Sequence, residues 1–279
     1  MAFGWTPLTA SIRAAGPVGL WAFNELLPGS ATTAGSQDPQ NFALDTSASG
    51  NLNAIPYLNG NYLTYGSAVV GNTISSLSNP ALNAQSVALF PSTGTTSTAN
   101  IVTSGSSQPA ILQPTAQISV GCNIIPNVCS TGSVKQVMVC YGSDASSLAA
   151  YNLYHLGSTA SNHQFAFSIN IGGSLKTATA TLPLVVVGTS YFVLGTYDGV
   201  NVRIYVNGVL QGTTAATGAI SYASIGAYGL AFGNDPSLTD ANIQGAMGIV
   251  GIYNYALNQT LITYLARQGT LTVPFPWRH

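Results

Sequence analysis

The segment that most narrows the fold is TYDGVNVRIYVNGVLQGT, residues 196 to 213. Val202, Ile204 and Val206 alternate with other residues, so they share one face of an extended strand. Asn207-Gly208 follows, a pair that accepts the two positive-φ positions of a type I′ turn, and Val209 to Thr213 supplies the returning strand. Asp198-Gly199 turns the chain into the first of the two strands. A hairpin here rules out an all-helical chain and sets the period by which neighbouring segments are read.

By that period, Val134 to Tyr141, Gln164 to Ile171, Leu182 to Val187 and Tyr191 to Tyr197 are strands, rich in Val, Ile, Phe and Tyr and bounded by Gly, Ser, Asn or Pro. Val18 to about Phe23 and Ala246 to Tyr253 add two more. Residues 58 to 114 are rich in Ser, Thr, Ala and Asn with brief apolar clusters, which predicts short strands and long loops. Asn258 is placed to cap a short helix through Ala266, with Leu257, Leu261 and Leu265 on one side and Gly269 at its end. Nothing alternates strand with helix, so the class is all-β.

Charged residues make up only 5% of the 279, against roughly 25% in an average soluble protein. With a formal net charge of −1 there is no basic field for phosphates or an anionic bilayer, so neither nucleic acid nor membrane is an expected partner. Mean hydropathy is +0.31, the reverse of a disordered composition. A surface so poor in like-charge repulsion is expected to be covered by other copies of the chain or other proteins. Cys122, Cys129 and Cys140 cannot all pair within one chain; one disulfide or three reduced thiols are the alternatives, and the apolar run Val137 to Tyr141 around Cys140 favours buried thiols. The first thirty residues lack the basic and apolar regions of a secretory signal.

The ends depart from the globular pattern. Residues 1 to 17 form an expected N-terminal arm with Phe3 and Trp5, and residues 269 to 279 a C-terminal arm in which Pro274 and Pro276 hold Phe275 and Trp277 extended. The expected domain is residues 18 to 268. These four aromatics are the candidate partner contacts, because they sit among residues that cannot build a core.

The hairpin residues Asp198, Gly199, Tyr205, Val206, Asn207 and Gly208 resemble the aromatic-Asp-Gly and Tyr-Val-Asn-Gly pattern of the concanavalin A-like lectin and laminin G-like family. Gly19 to Glu25 resembles that family's opening Gly-aromatic-Trp strand, and Asp45 to Asn51 its Asp-Ser-Ser-Gly-Asn loop. Gly245 to Leu257 resembles its closing strand and Tyr-Asn-x-Ala-Leu turn. The resemblance implies a jelly-roll sandwich of two antiparallel sheets, to which the residues themselves add a short C-terminal helix and extended terminal arms. The closing strand departs from the pattern: Met247-Gly248-Ile249-Val250-Gly251 stands where acidic and basic residues are usual.

The chemistry that the residues offer is sparse. Calcium needs clustered oxygen ligands, and seven scattered acids leave only Asp198 and Asp45 as anchors, so no cofactor is expected. Glycoside hydrolysis needs two carboxyl groups across the bond, but Glu25 is the one glutamate and has no acidic neighbour. His155 and His163 fall in NLYHLGSTASNH near Asp144 without a Gly-x-Ser-x-Gly elbow, and read as two polar loop residues too poor in neighbouring ligands for zinc. YGLAFGNDPSLTD, residues 228 to 240, holds Tyr228, Phe232, Asn234, Asp235 and Asp240. Aromatic, amide and carboxylate groups of this kind make it the candidate carbohydrate contact, against the plainer reading of an Asn-Asp-Pro turn.

A non-catalytic role follows. A fold implied to be extracellular, no secretion signal, little charge and aromatic arms lead to the expectation of a phage-type virion structural protein, either a capsid decoration (cement) protein or a tail or fibre component. The alternative is an extracellular carbohydrate-binding adhesin or lectin module; a glycoside hydrolase ranks last.

Overall fold

The computed structural model describes residues 7–21, 54–58, 64–65, 88–90, 99–103, 110–129, 135–142, 149–157, 162–223, 229–234 and 241–270. Within them lie helix α1 (Pro7–Ala14), strands β1 (Gly19–Trp21), β2 (Ala54–Leu58), β3 (Thr64–Tyr65), β4 (Ala88–Phe90), β5 (Ala99–Thr103), β6 (Ile118–Pro126), β7 (Gln136–Tyr141) and β8 (Tyr151–Gly157). The chain continues through β9 (His163–Ile171), β10 (Ser174–Thr179), β11 (Tyr191–Tyr197), β12 (Asn201–Val206), β13 (Val209–Ala215), β14 (Leu230–Phe232), β15 (Ala241–Asn242), β16 (Gly245–Tyr253) and helix α2 (Gln259–Thr270).

The strands form two sheets. Sheet A has the order β13-β12-β11-β6-β16-β4-β3, with β1 also on β16; sheet B has the order β10-β9-β8-β7-β14-β5-β2, with β15 on β7. All pairings are antiparallel except β15 with β7. This is the all-β, two-sheet antiparallel sandwich that the sequence implies.

Alternation builds the interior. Ile118, Val120, Cys122 and Ile124 of β6, Val193 and Tyr197 of β11, and Val250 and Ile252 of β16 point from sheet A toward Met138, Tyr141, Leu153, Phe165, Phe167 and Ile169 of sheet B. The two-residue period puts every second side chain on one face, so each strand can feed a single core. Trp21 is fully buried there, its ring centroid 4.8 Å from that of Phe232.

The outer face of sheet A is also apolar. Leu20, Phe192, Leu194, Tyr205, Ile249 and Tyr253 pack beneath Ile12 of α1 and Ile262, Leu265 and Ala266 of α2. The Asn258 cap forms as expected: its Oδ1 accepts from the Leu261 N–H at 2.9 Å, and its carbonyl accepts from Ile262 at 3.0 Å. Gly208, at φ 81°, brings the β12–β13 turn so close to α2 that a Cβ would stand 2.9 Å from the Ala266 methyl. Gln259 Nε2 donates to the Gly208 carbonyl at 2.7 Å, joining turn and helix.

Four segments differ from the sequence reading. Residues 7–14 of the expected arm are a helix: Pro7 occupies a first-turn position where no N–H is needed, Ile12 is buried against α2, and Gly16 follows at φ 65°. Helix α2 continues past Ala266 and Gly269 to Thr270. Tyr151–Gly157, read as loop, is an inner strand between β7 and β9. Leu182 to Val187, read as a strand, pairs with no strand: it links β10 of sheet B to β11 of sheet A and must cross between layers. Pro183 offers no N–H, and Leu182, Val186 and Val187 are exposed.

Candidate functional site

Two residues of the loop named from sequence as the carbohydrate contact lie inside the sandwich. Phe232 and Asn234 are fully buried. Phe232 lies in β14, which pairs with β5 on one side and β7 on the other, so its inward ring is core. Tyr228, Asp235 and Asp240 lie outside the described residues, as do Phe3, Trp5, Phe275, Trp277, Glu25, Asp45 and Asp144. Asp198 is engaged within its own hairpin: Oδ1 accepts from the N–H groups of Val200 at 2.9 Å and Asn201 at 2.7 Å, and Oδ2 pairs with Arg203. That use of both oxygens leaves little for a calcium ion.

His155 and His163 are not loop residues. They stand on β8 and β9 with the parity of Leu153 and Phe165, so both face the interior at one end of the sandwich, and both are fully buried. Their Nδ1 atoms are 3.0 Å apart. Cys129, in the segment following β6, reaches the same place and is also buried. The Asn127 N–H to the Gln244 carbonyl at 2.7 Å and Gln136 Nε2 to the Val128 carbonyl at 3.2 Å hold that segment, while the Val185 N–H binds the His163 carbonyl at 2.8 Å. Burial, and then the neighbouring His163, push the His155 imidazole down to about 3, so it is neutral at physiological pH. No spacing motif signals this convergence, because three segments brought together by sheet pairing supply it.

A second polar group lies on the outer face of sheet B. Register places Cys140, Asn152, Ser168 and Thr177 side by side across β7, β8, β9 and β10. Ser168 Oγ is 2.8 Å from Thr177 Oγ1 and 3.1 Å from Tyr154 Oη, a continuous chain of hydroxyls. Lys135 Nζ sits 5.2 Å from the Tyr154 ring centroid. Asn152 is 1% exposed, yet neither its Oδ1 nor its Nδ2 has a hydrogen-bond partner. The row opens toward solvent at the half-exposed Thr177 on edge strand β10. A buried amide with both functions unmet is costly, so it marks a place built for a polar partner or water.

With this architecture and these sites in view, the chain belongs to the concanavalin A-like lectin/glucanases superfamily, whose Laminin_G_3 family model matches residues 94–263. No curated protein sequence matches it. Among solved structures it is similar to domain 4 of AbnA, a GH43 extracellular arabinanase from Geobacillus stearothermophilus, solved in complex with arabinotriose. That likeness has a TM-score of 0.56 at 14% identity and covers 90% of this chain and 98% of that one. The binding domain of botulinum neurotoxin serotype D/C gives a TM-score of 0.55 at 13% identity, covering 92% of this chain and 53% of that one. Botulinum neurotoxin type C, whose cell entry depends on interaction with two ganglioside molecules, gives 0.52 at 15% identity, with 88% and 52% covered. At these identities the likeness is one of fold.

Proposed function

We propose that the chain is a carbohydrate-binding module without catalytic activity, acting outside the cell, whose contact is the edge of sheet B at Thr177, where the polar row reaches solvent. The polar row carries the reading: the buried amide of Asn152 has neither its donor nor its acceptor side met, and it lies in register with hydroxyls that lead to the sheet edge, where a sugar hydroxyl can join them. Ser168 and Thr177 extend the row, and the Tyr154 ring adds an aromatic neighbour to it. The arabinotriose-bound relative and the ganglioside-dependent toxin support the choice of ligand class over the virion role. The single glutamate, without an acidic neighbour in the sequence, supports a binding rather than a hydrolytic role.

Titration with neutral oligosaccharides selected from a glycan array tests this. We expect binding by the whole chain, weakened about tenfold or more in Asn152→Ala and in Thr177→Ala, the loss of one ligand hydrogen bond being worth about 1.5 kcal/mol. Absence of binding to every glycan, or equal binding by the folded variants, overturns the proposal.

The virion structural reading draws on different observations: six Lys and Arg with seven Asp and Glu in 279 residues, and the exposed aliphatic side chains Leu182, Val186, Val187, Val209 and Leu210. It requires self-association that survives high salt, since interfaces of this composition hold little charge to screen. Sedimentation as a monomer at micromolar concentration removes its basis.

A further inference from the structure

We propose that Cys129, His155 and His163 form a binding site for one thiophilic transition-metal ion, with zinc(II) as its reference ligand. Their ligand atoms all lie within 4.8 Å of one another, and all three side chains are buried. A tetrahedral zinc ion with bonds of about 2.0–2.1 Å to nitrogen and 2.3 Å to sulfur sets its nitrogens about 3.3 Å apart and nitrogen from sulfur about 3.6 Å apart. The Nδ1–Nδ1 separation of 3.0 Å is already near the first value, and about an ångström of side-chain movement closes the second.

A single proton shared between the two Nδ1 atoms holds the rings together in the metal-free chain. An ion between the rings replaces that proton and accepts a lone pair from each Nδ1, which leaves the His155 proton on Nε2. One thiolate and two imidazoles are a donor set that suits zinc or copper and disfavours the hard cations magnesium and calcium.

The surroundings fix the ligands in place. His163 packs against Gly157, where a Cβ would stand 2.6 Å from His163 Cδ2 and 2.0 Å from the Asn162 carbonyl oxygen, so only glycine fits beside the ring. His155 meets the Phe165 ring at a centroid distance of 6.0 Å. Binding converts the Cys129 thiol to a thiolate, releases its proton to solvent and changes no oxidation state. The three protein ligands leave a fourth position for an exchangeable group. The ion would clamp the segment after β6 to the β8–β9 pair at one end of the sandwich, independently of any glycan on the outer face.

The full chain, stripped with a chelator, is titrated with Zn²⁺ against a competing indicator and with Co²⁺ as an optical probe. One equivalent of zinc and a thiolate-to-cobalt charge-transfer band are expected. Cys129→Ser and His163→Gln should each weaken zinc binding by more than the roughly 10- to 100-fold typical of losing an outer-shell partner. Cys140→Ala should bind as the parent does. A stripped parent chain that takes up no zinc at micromolar concentration, or variants that retain full affinity, overturns the proposal. Should the variants fail to fold, the loaded parent chain decides: its zinc X-ray absorption edge shows one sulfur and two imidazole nitrogens around the ion, or the proposal falls.

Discussion

Gly195 of β11 lies against the ring of Phe167 of β9 so closely that a Cβ at position 195 would stand 2.1 Å from Phe167 Cγ and 2.4 Å from both Cδ atoms. The two residues belong to different sheets, and the glycine is the recess into which the opposing ring fits. Gly195→Ala must therefore separate the sheets or turn the ring, and overpacking of this kind costs on the order of 1–3 kcal/mol. The urea midpoint should fall accordingly, and Phe167→Leu in the alanine background should recover part of the loss. An unchanged midpoint for Gly195→Ala contradicts the packing described.

The hairpin carboxylate gives a pH-dependent prediction. Burial pushes the Asp198 carboxyl up, but the Arg203 guanidinium and the N–H groups of Asn201 and Val200 outweigh it and hold the group below its usual value. A folded-state pKa below the unfolded one adds stability above the unfolded value of about 3.9, and this is lost as pH falls through the folded value. Asp198→Asn keeps the turn-forming oxygen but removes the charge. Because the pair is about a quarter exposed, at 26% and 27%, its contribution is about 1 kcal/mol or less. The melting-temperature difference between parent and variant should be present at pH 7 and shrink as the pH is lowered below about 3.9.

The cap of α2 is local enough to be tested alone. Asn258→Ala removes the acceptor for the Leu261 N–H and should cost about 1 kcal/mol, whereas Asn258→Ser should cost much less. Faster amide exchange confined to the first turn of α2 would locate the effect; equal exchange in both variants would argue against a capping role.

The thiols should be silent in the native chain. Cys122, Cys129 and Cys140 form no disulfide and are buried, and burial pushes the thiols of Cys122 and Cys129 up, away from the reactive thiolate. A disulfide-exchange reagent at pH 8 should therefore react slowly with native protein and rapidly with three thiols after unfolding. Fast stoichiometric reaction of the folded chain would contradict this.

What could be read in the sequence depended on how locally each feature is encoded. Asn207-Gly208 specifies its turn through two adjacent residues, and the structure shows φ 51° and 81° there. Gly245–Tyr253 was legible because it is long and apolar. Tyr151–Gly157 was not, since Asn152 and His155 look like loop residues until their neighbours are known; each is buried by strands that arrive from elsewhere in the chain. Phe232 misled for the opposite reason: a turn-rich context surrounds an aromatic whose burial is set by β5 and β7. Helix α1 lacked a full amphipathic repeat, and its one clear anchor, Ile12, acquires meaning only against α2. The Cys129, His155 and His163 cluster was invisible because its spacing fits no metal motif; sheet register, rather than chain proximity, brings its members together.

The pairing of β1 and β6 with β16 has a consequence for how the protein is made. Gly19 pairs with Ile252, and Val120 does too from its other side, so two strands synthesised early await one synthesised near the end of the described chain. A nascent chain emerging from the ribosome carries the flank of β6 that β16 will cover, together with the apolar residues Leu20, Phe192 and Leu194, before their covering elements exist. Loop closure over such a span is slow, and an open strand edge invites pairing between neighbouring nascent chains. Loss of β16 and α2 is therefore expected to leave an aggregating chain rather than a smaller sandwich, because the last of the described strands is the one that fills the gap between β1 and β6.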